Sequence, residues 1–206
     1  MFYTPVIPSW LMKLNPSMVW KMPVKDKELF LTFDDGPHET ATPFVLDQLK
    51  QYDAKATFFC IGKNVQAHPG IYKRILDEGH SAGNHTFNHL NGWKTKNEQY
   101  ISDITETAKY VDSHLFRPPY GKVSPFVAKM LINKFHYKII MWHVLSGDFD
   151  EKLSPEKCTE NVLMHSKAGS VIVFHDSTKA WERMSYALPK TLEYFKEQGY
   201  EFRAIL

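Results

Sequence analysis

The chain has 206 residues, of which 43% are hydrophobic and 14% aromatic, a composition typical of one globular domain and unlike that of disordered or fibrous proteins. Its formal net charge is +2 at neutral pH, and no block of lysines and arginines occurs, so we expect no nucleic-acid partner. The two cysteines, Cys60 and Cys158, lie far apart without Cys-x-x-Cys spacing, which leaves open whether they are free. The composition does not indicate an oligomeric state.

Residues 1–27 form an apolar and aromatic N-terminal segment. Prolines at positions 5, 8 and 16 and a lysine at position 13 interrupt it, so it makes a poor signal peptide. It is also far short of the roughly 20 apolar residues that span a bilayer. We therefore predict that this segment packs on the domain and that the chain has no transmembrane span, with docking to a membrane surface as the alternative. Without an evident signal peptide, we expect a cytoplasmic location or non-classical export.

From residue 28 onward, short apolar runs alternate with amphipathic stretches. The runs predict strands at 28–33, 55–62, 80–84, 116–121, 137–146, 169–177 and 201–206. The amphipathic stretches predict helices at 41–52, 64–78, 97–115, 124–135, 154–166 and 184–199, with Thr42, Ser124 and Ser154 as N-terminal caps. Strands that alternate with helices form parallel sheets, and seven such units favour a barrel. We predict one α/β domain over 28–206, a distorted TIM-like (β/α)7 barrel.

Ionisable side chains follow nearly every predicted strand. They are Asp34, Asp35, His85, His89, Arg117, Tyr120, Asp148, His175 and Asp176. Only the second strand and the last one lack such a group. Because the carboxyl ends of parallel strands meet at one rim of a barrel, these side chains are expected to converge there. This pattern predicts an active site at that rim.

The motif "HTFNH" places His85 and His89 four residues apart. On a helical turn both imidazoles would lie on one face, within reach of a single metal ion. Asp34 or Asp35 can supply the third ligand, since successive residues at a strand end point in different directions. Two histidines and one carboxylate leave open coordination positions, as a catalytic metal site requires. The alternatives are two surface histidines and an aspartate turn before Gly36.

Two further polar groups suit acid–base chemistry. Arg117 precedes two prolines that stiffen the backbone. Beside a carboxylate, its positive charge would favour the ionised form of that carboxylate. A surface ion pair is the alternative. His175 ends an apolar strand and, with Asp148 nearby, would act as a cationic general acid; a structural histidine is the alternative.

Five motifs resemble those of the polysaccharide deacetylases of the NodB-homology type, carbohydrate esterase family four. They are TFDDGP at residues 32–37, H-[ST]-x-x-H at 85–89, RPPYG at 117–121, Asp148-Phe149 in place of Asp-Trp, and Val173-Phe174-His175 for L-x-H. The resemblance covers residue 28 to the C-terminus. It implies a distorted barrel of seven strands and a metal-dependent hydrolase that removes N-acetyl groups from N-acetylglucosamine-type residues of a polysaccharide or oligosaccharide, releasing acetate.

The resemblance also implies a role for each matching residue. By this resemblance Asp34 is the general base, and Arg117 holds it in place. One divalent ion is bound by Asp35, His85 and His89, and the backbone amide of Tyr120 helps to bind the oxyanion. The general acid is His175, which Asp148 orients. Zinc is the expected metal, with cobalt, manganese and nickel as alternatives.

Aromatic residues near the motifs are candidates for a substrate groove. The predicted groove residues are Pro119, Trp181, Phe149 and Trp93. Trp142 lies inside an apolar strand, where core packing is at least as good an explanation. The change from the family's Trp to Phe149 keeps an apolar wall but removes an indole N–H, which affects the groove and not the reaction.

Two other functions are compatible with these motifs. The same fold also serves deformylation of lipid-linked sugars and hydrolysis of cyclic amides, and the apolar N-terminus fits a lipid-linked substrate loosely. A degenerate carbohydrate-binding relative is the non-enzymatic alternative, but it should have lost a metal ligand or the base, and this chain retains all of them.

Overall fold

The structure is a computed structural model and describes residues 4–206. Its strands are β1 (Glu28–Asp34), β2 (Ala56–Cys60), β3 (Ser81–Asn84), β4 (Leu115–Phe116), β5 (Lys138–Ile139), β6 (Val144–Leu145), β7 (Val171–His175) and β8 (Glu201–Phe202). Its helices are α1 (Ser9–Leu14), α2 (Ala41–Gln51), α3 (Gly62–Ala67), α4 (Pro69–Asp77), α5 (Asn97–Thr107), α6 (Pro125–Asn133), α7 (Pro155–His165) and α8 (Trp181–Glu197).

The sheet is curled and parallel, with the order β5-β4-β3-β2-β1-β7-β6, while β8 pairs separately with β1. The central strand β1 is apolar and almost fully buried, as expected for a parallel strand covered on both faces. The ring of Phe33 stacks on Phe58 at 5.2 Å and on Phe174 at 6.1 Å between ring centroids, which ties the three central strands together. The prediction of one α/β domain built as a distorted barrel is confirmed, with seven strands on the main path of the sheet and β8 beside it.

The apolar run at 137–146 departs from the prediction of one strand. Its first part, β5, pairs with β4, and its last part, β6, pairs with β7 at the opposite end of the sheet order. Ile140 to His143 connect these two edges, and we call them the seam. The N–H of Ile140 donates to Phe116 O at 2.8 Å and that of His143 to Val171 O at 2.9 Å. The chain changes partner within four residues, so no single strand can form.

The N-terminal segment lies along the seam and the strands beside it. Val6 forms a bridge with Val144, Val19 forms one with Ile140, and the N–H of Met141 donates to Val19 O at 2.7 Å. Residues 1–3 of the segment lie outside the described residues. No helix within 4–206 is both long enough and apolar enough to cross a membrane.

Most predicted helices are present with shifted ends. Ser124 and Ser154 cap α6 and α7 as predicted, each accepting a backbone N–H at 3.2 Å. Thr42 does not cap α2, because the helix begins after Thr40 and the Thr42 hydroxyl donates to Asp176 instead.

Two predicted helices are shorter than expected. The stretch 64–78 forms two helices, α3 and α4, because Pro69 lacks an N–H and starts a new helix. The predicted helix at 97–115 ends at Thr107, since the following residues turn to place β4 beside β3. Cys60 and Cys158 are buried free thiols.

Candidate active site

The rim of the sheet is built around the turn that follows β1. Asp34 ends the strand and lies in register with His175 of β7. Asp35 adopts a left-handed backbone conformation, with φ at 81°. The N–H of Gly36 donates to Asp176 Oδ1 at 3.0 Å, and a Cβ at this position would lie 2.0 Å from Asp176 Oδ2, so only glycine fits. Asp176, which the sequence placed at the rim without a role, therefore supports this turn.

Asp34 is a buried carboxylate paired with a buried cation. Its Oδ1 accepts a hydrogen bond from Arg117 Nη1 at 2.7 Å. Burial alone would raise the pKa of Asp34, but the positive charges of Arg117, His85 and His175 outweigh it and lower the pKa below its ordinary value. The carboxylate is thus ionised at neutral pH, as a general base must be.

Arg117 is held from several directions at once. Besides Asp34, it donates to Thr32 Oγ1 at 2.7 Å, to Ile140 O at 3.1 Å and to Met141 O at 2.9 Å. Its guanidinium carbon lies 4.1 Å from the ring centroid of Phe59. The acceptors Ile140 O and Met141 O belong to the seam, so the segment that joins the two edges of the sheet fixes the position of Arg117. Arg117 in turn fixes the position of Asp34.

The "HTFNH" segment is a loop and not the helical turn we predicted. Thr86 and His89 both have positive φ, at 63° and 55°, which a helix does not allow. Asp103 of α5 holds the loop by accepting the N–H groups of Phe87 and Asn88 at 2.8 and 2.9 Å. Nothing in the sequence marks Asp103 for this role, because an acidic residue in an amphipathic helix is ordinary.

The loop nevertheless brings both histidines to Asp35. Asp35 Oδ1 lies 3.2 Å from His89 Nε2 and 3.7 Å from His85 Nε2, and the ligand atoms of all three residues lie within 4.8 Å of one another. His85 Nδ1 is 2.8 Å from Arg117 O, an arrangement in which Nδ1 donates its proton and Nε2 is left to bind a metal. The sequence left Asp34 and Asp35 open as the third ligand, and geometry favours Asp35.

The chemistry of these three residues fits a divalent cation. Asp35 Oδ1 is buried, and although His89 Nε2 lies 3.2 Å away, no group among residues 4–206 donates a well-aligned hydrogen bond to it. Burying an unpaired carboxylate oxygen is costly, and a cation would satisfy it. Burial and the neighbouring His85 outweigh the opposing charges of Asp35 and Asp34 and lower the pKa of His89 to about 4, so its imidazole is neutral and available as a ligand at neutral pH.

A second charged pair lies across the rim. His175 Nδ1 is 2.7 Å from Asp148 Oδ1, and the backbone N–H of His175 donates to the other carboxylate oxygen at 2.6 Å. Burial would lower the pKa of His175, but the charge and hydrogen bond of Asp148, with smaller contributions from Asp35 and Asp34, raise it to about 10. The ring of Phe149 packs edge-on against His175 at 5.4 Å. His175 is therefore a cation at neutral pH.

These groups line one cleft of about 400 Å3. Phe149 lines it, as predicted for a groove residue, and so does Trp142. Trp181 is the first residue of α8 and not part of a loop; it packs against Phe44 with 5.2 Å between ring centroids. Pro119 is buried, and Trp93 is 66% exposed outside the residues that line the cleft. The groove roles of these last three residues remain predictions.

The cleft also contains residues that we did not single out from the sequence. Lys122 and Lys179 line it, together with Leu145. The two lysines were overlooked because a lone lysine in a loop is normally a solvated surface residue. Both follow recognised motifs closely, and that proximity was the only signal available.

Comparison with known proteins agrees with this geometry. The family model described as polysaccharide deacetylase matches residues 21–139, more than half of the chain. The chain belongs to the polysaccharide deacetylase family. A peptidoglycan-N-acetylglucosamine deacetylase of Bacillus cereus is 37% identical over 198 residues, which cover 92% of each chain. The crystal structure of a peptidoglycan N-acetylglucosamine deacetylase in complex with 4-naphthalen-1-yl-N-oxidanyl-benzamide superimposes with a TM-score of 0.88 at 33% identity, covering 97% of this chain and 95% of the other.

These similarities confirm the predicted hydrolase that removes N-acetyl groups from sugar polymers. One structural neighbour of this polysaccharide deacetylase is instead described as a pseudoenzyme of the family, from Bacillus anthracis. It superimposes with a TM-score of 0.80 at 25% identity, covering 95% of this chain and 69% of the other. In the present chain the residues predicted as metal ligands, base and acid all line one cleft, so the non-enzymatic alternative has no support from its residues.

Proposed function

We propose that this polysaccharide deacetylase hydrolyses the N-acetyl group of N-acetylglucosamine residues in peptidoglycan, using a divalent ion held by Asp35, His85 and His89. This proposal rests on one observation, the grouping of three kinds of residue in one cleft. They are the possible metal ligands Asp35, His85 and His89, the ionised Asp34 and the cationic His175. The names of the similar proteins support peptidoglycan as the substrate class. Zinc is the metal we favour, because two histidines and a carboxylate are ligands typical of catalytic zinc sites.

A divalent ion at this triad supplies Lewis acidity, which lowers the pKa of water and polarises a carbonyl oxygen. Asp34 acts beside it as the general base. Its Oδ1 is occupied by Arg117, so the other oxygen takes the proton from the water that attacks the acetyl carbon. Arg117 keeps the pKa of Asp34 low, which ensures that the carboxylate is ionised before the reaction starts.

His175 completes the reaction as the general acid. Because Nδ1 faces Asp148, Nε2 is the atom that gives a proton to the leaving nitrogen as the carbon–nitrogen bond breaks. The products are acetate and an amine on the sugar. Tyr120 has φ at 58° in the turn beside His89, and we assign its backbone N–H to the oxyanion, a contribution of about 3 kcal/mol in other acyl-transfer sites.

Acetate release is the direct test of this proposal. Metal-stripped protein is reloaded with zinc, cobalt, manganese or nickel and incubated with peptidoglycan glycan strands and with chitooligosaccharides. In Asp34→Asn we expect kcat to fall about 1,000-fold, within the range for loss of a general base, while metal affinity is retained. Asp77→Asn, which changes an exposed aspartate paired with Lys73, is the matched control and should behave as wild type.

Each result of this experiment has a clear meaning. Release that depends on metal and is lost in Asp34→Asn would support the proposal. Release that persists after chelation, or at an equal rate in Asp34→Asn, would overturn it. No release with any metal, despite tight metal binding, would direct attention to lipid-linked sugars or cyclic amides as substrates.

A further inference from the structure

The charges that line the cleft do not balance. Asp34 is matched by Arg117, and Asp148 matches His175. A divalent ion at Asp35 would leave one positive charge uncompensated. Lys122 and Lys179 also line the cleft, and neither forms an ion pair with any residue among 4–206. With metal bound, the cleft therefore carries excess positive charge from the ion and from both lysines.

Lys122 is held in place at the rim and is not a freely moving surface group. It follows the turn that carries Tyr120, whose ring lies 4.6 Å from that of His89. Its ammonium lies 3.8 Å from the ring centroid of Trp93, a cation–π geometry that favours one position of the side chain. Trp93 is fixed in turn, because its Nε1 donates to Val123 O at 3.1 Å. Lys122 thus lines the cleft next to the turn that carries Tyr120, with its ammonium held over Trp93.

Lys179 lies on the side of the general acid. It sits in the loop between β7 and α8, four residues after His175. Its carbonyl accepts a hydrogen bond from Arg183 Nη2 at 2.6 Å, and Arg183 Nε donates to Asp148 O at 2.7 Å. The backbone of Lys179 is therefore tied to the residue that holds His175, although its side chain is exposed.

We infer that Lys122 and Lys179 form an anion subsite that recognises carboxylates on the sugar units flanking the reacting N-acetylglucosamine. This inference rests on the proposed function, since it assigns a feature of the substrate at the same cleft. A chain of neutral sugars offers hydroxyl and carbonyl oxygens to these two ammonium groups but no opposite charge. A glycan that carries a carboxylate on alternate units, either on its lactyl ethers or on attached peptides, offers an anion on each side of the reacting residue.

The test compares three glycans of similar length: chitotetraose, which is neutral; peptide-free peptidoglycan strands with free lactyl carboxylates; and strands that retain their peptides. The zinc-loaded wild type should show a higher kcat/KM for the acidic glycans than for chitotetraose, and the preferred acidic glycan identifies the source of the carboxylate. The ratio of acidic to neutral kcat/KM should fall about fivefold per lysine in Lys122→Gln and Lys179→Gln, the upper range for an exposed charge pair. It should also fall with added salt.

Two variants separate charge from structure. Lys122→Arg and Lys179→Arg keep the charge and should keep the preference. Lys190→Gln is the matched control, because the Lys190 ammonium also lies over an aromatic ring, 4.1 Å from the centroid of Tyr186, but away from the cleft. It should leave both kcat/KM values unchanged. Equal kcat/KM for acidic and neutral glycans in wild type, or a loss in Lys→Gln variants that is the same on all glycans, would overturn the subsite.

Binding measurements distinguish failure of the subsite from failure of the proposed function. Calorimetry with zinc-loaded Asp34→Asn gives the dissociation constant of each glycan without turnover. Tighter binding of acidic glycans that is lost in Lys122→Gln/Lys179→Gln supports the subsite even if wild type releases no acetate. Equal binding of all three glycans overturns the subsite even if wild type is an active deacetylase.

Discussion

The two charged pairs of the active site use the same chemistry in opposite orientations. In both, a cationic side chain lies 2.7 Å from an aspartate oxygen. In the Asp34–Arg117 pair the cation is fully buried, and the carboxylate lines the cleft. In the His175–Asp148 pair the carboxylate is fully buried, and the imidazole lines the cleft. In the proposed mechanism the first pair therefore presents a carboxylate that takes a proton, and the second presents an imidazolium that gives one.

In each pair the fully buried side chain shifts the pKa of the side chain that lines the cleft. Arg117 lowers the pKa of Asp34, and Asp148 raises that of His175 to about 10. The two values are driven apart, as expected for a base and an acid that work together at one pH. Replacing the hidden partners tests this comparison more sharply than replacing the exposed ones.

Arg117→Met should have the largest effect. It leaves the buried Asp34 carboxylate without its cation, and breaking a buried pair in this way costs about 3–5 kcal/mol of unfolding free energy. The proposed base would also be weakened, because burial, then opposed only by the charges of His85 and His175, shifts the pKa of Asp34 upward. Urea denaturation and acetate release measure the two consequences.

The double variant Asp34→Asn/Arg117→Met controls for lost packing. Without a buried charge to leave unpaired, it should regain much of the stability lost in Arg117→Met. If the two single effects simply add in the double variant, the two residues are not energetically coupled and the pairing argument is wrong.

Asp148→Asn should have the next largest effect, a fall in kcat of about 100-fold. Without the carboxylate the pKa of His175 falls, so the alkaline limb of the pH–rate profile should move from about pH 10 toward neutral pH. In folded wild type the pKa of His175 lies above its ordinary value of 6.5. The His175–Asp148 pair therefore stabilises the fold fully below pH 6.5, and this stabilisation is lost as the pH rises through about 10. The stability difference between wild type and variant should shrink accordingly in alkali.

His175→Gln identifies the origin of that limb. In metal-loaded His175→Gln the alkaline limb should be absent. An alkaline limb that stays in place in both variants would show that another group supplies the proton.

Thr32→Val should have the smallest effect. The Thr32 hydroxyl accepts from Arg117 at 2.7 Å and donates to Ile172 O at 2.8 Å, so its removal should lower the unfolding free energy by about 2 kcal/mol. Activity should change little, because the ion pair itself remains. Thr57→Val is the matched control: its buried hydroxyl accepts from the neutral N–H of Ile205, and we expect a loss of about 1 kcal/mol. Equal losses in the two variants would mean that the bond to Arg117 adds nothing.

The sequence predicted the strand and helix alternation well, because a buried parallel strand such as 28–34 has a strong apolar signal. It did not predict the division of 137–146 into two strands, since an apolar run carries no record of which partner each residue pairs with. It indicated that His85 and His89 share a metal, but from helical geometry that the structure does not have. The four-residue spacing still led to the right pair, because the loop held by Asp103 also brings His85 and His89 together.

The site was predicted where motifs mark it and missed where only tertiary placement matters. Lys122 and Lys179 become noteworthy only when the fold places them at a cleft whose other charges are matched. Trp181 packs against Phe44, a contact that the sequence did not indicate, and its role in a substrate groove stays a prediction.

The seam has a consequence for how preparations of the enzyme are assayed. All three metal ligands precede residue 90, whereas two acceptors of Arg117 lie at Ile140 and Met141. A molecule in which the seam has opened locally would keep every predicted metal ligand but lose the anchorage of Arg117, which holds Asp34. Metal stoichiometry would then count damaged molecules as intact, so the active fraction has to be measured by turnover or by an inhibitor that requires the ionised Asp34.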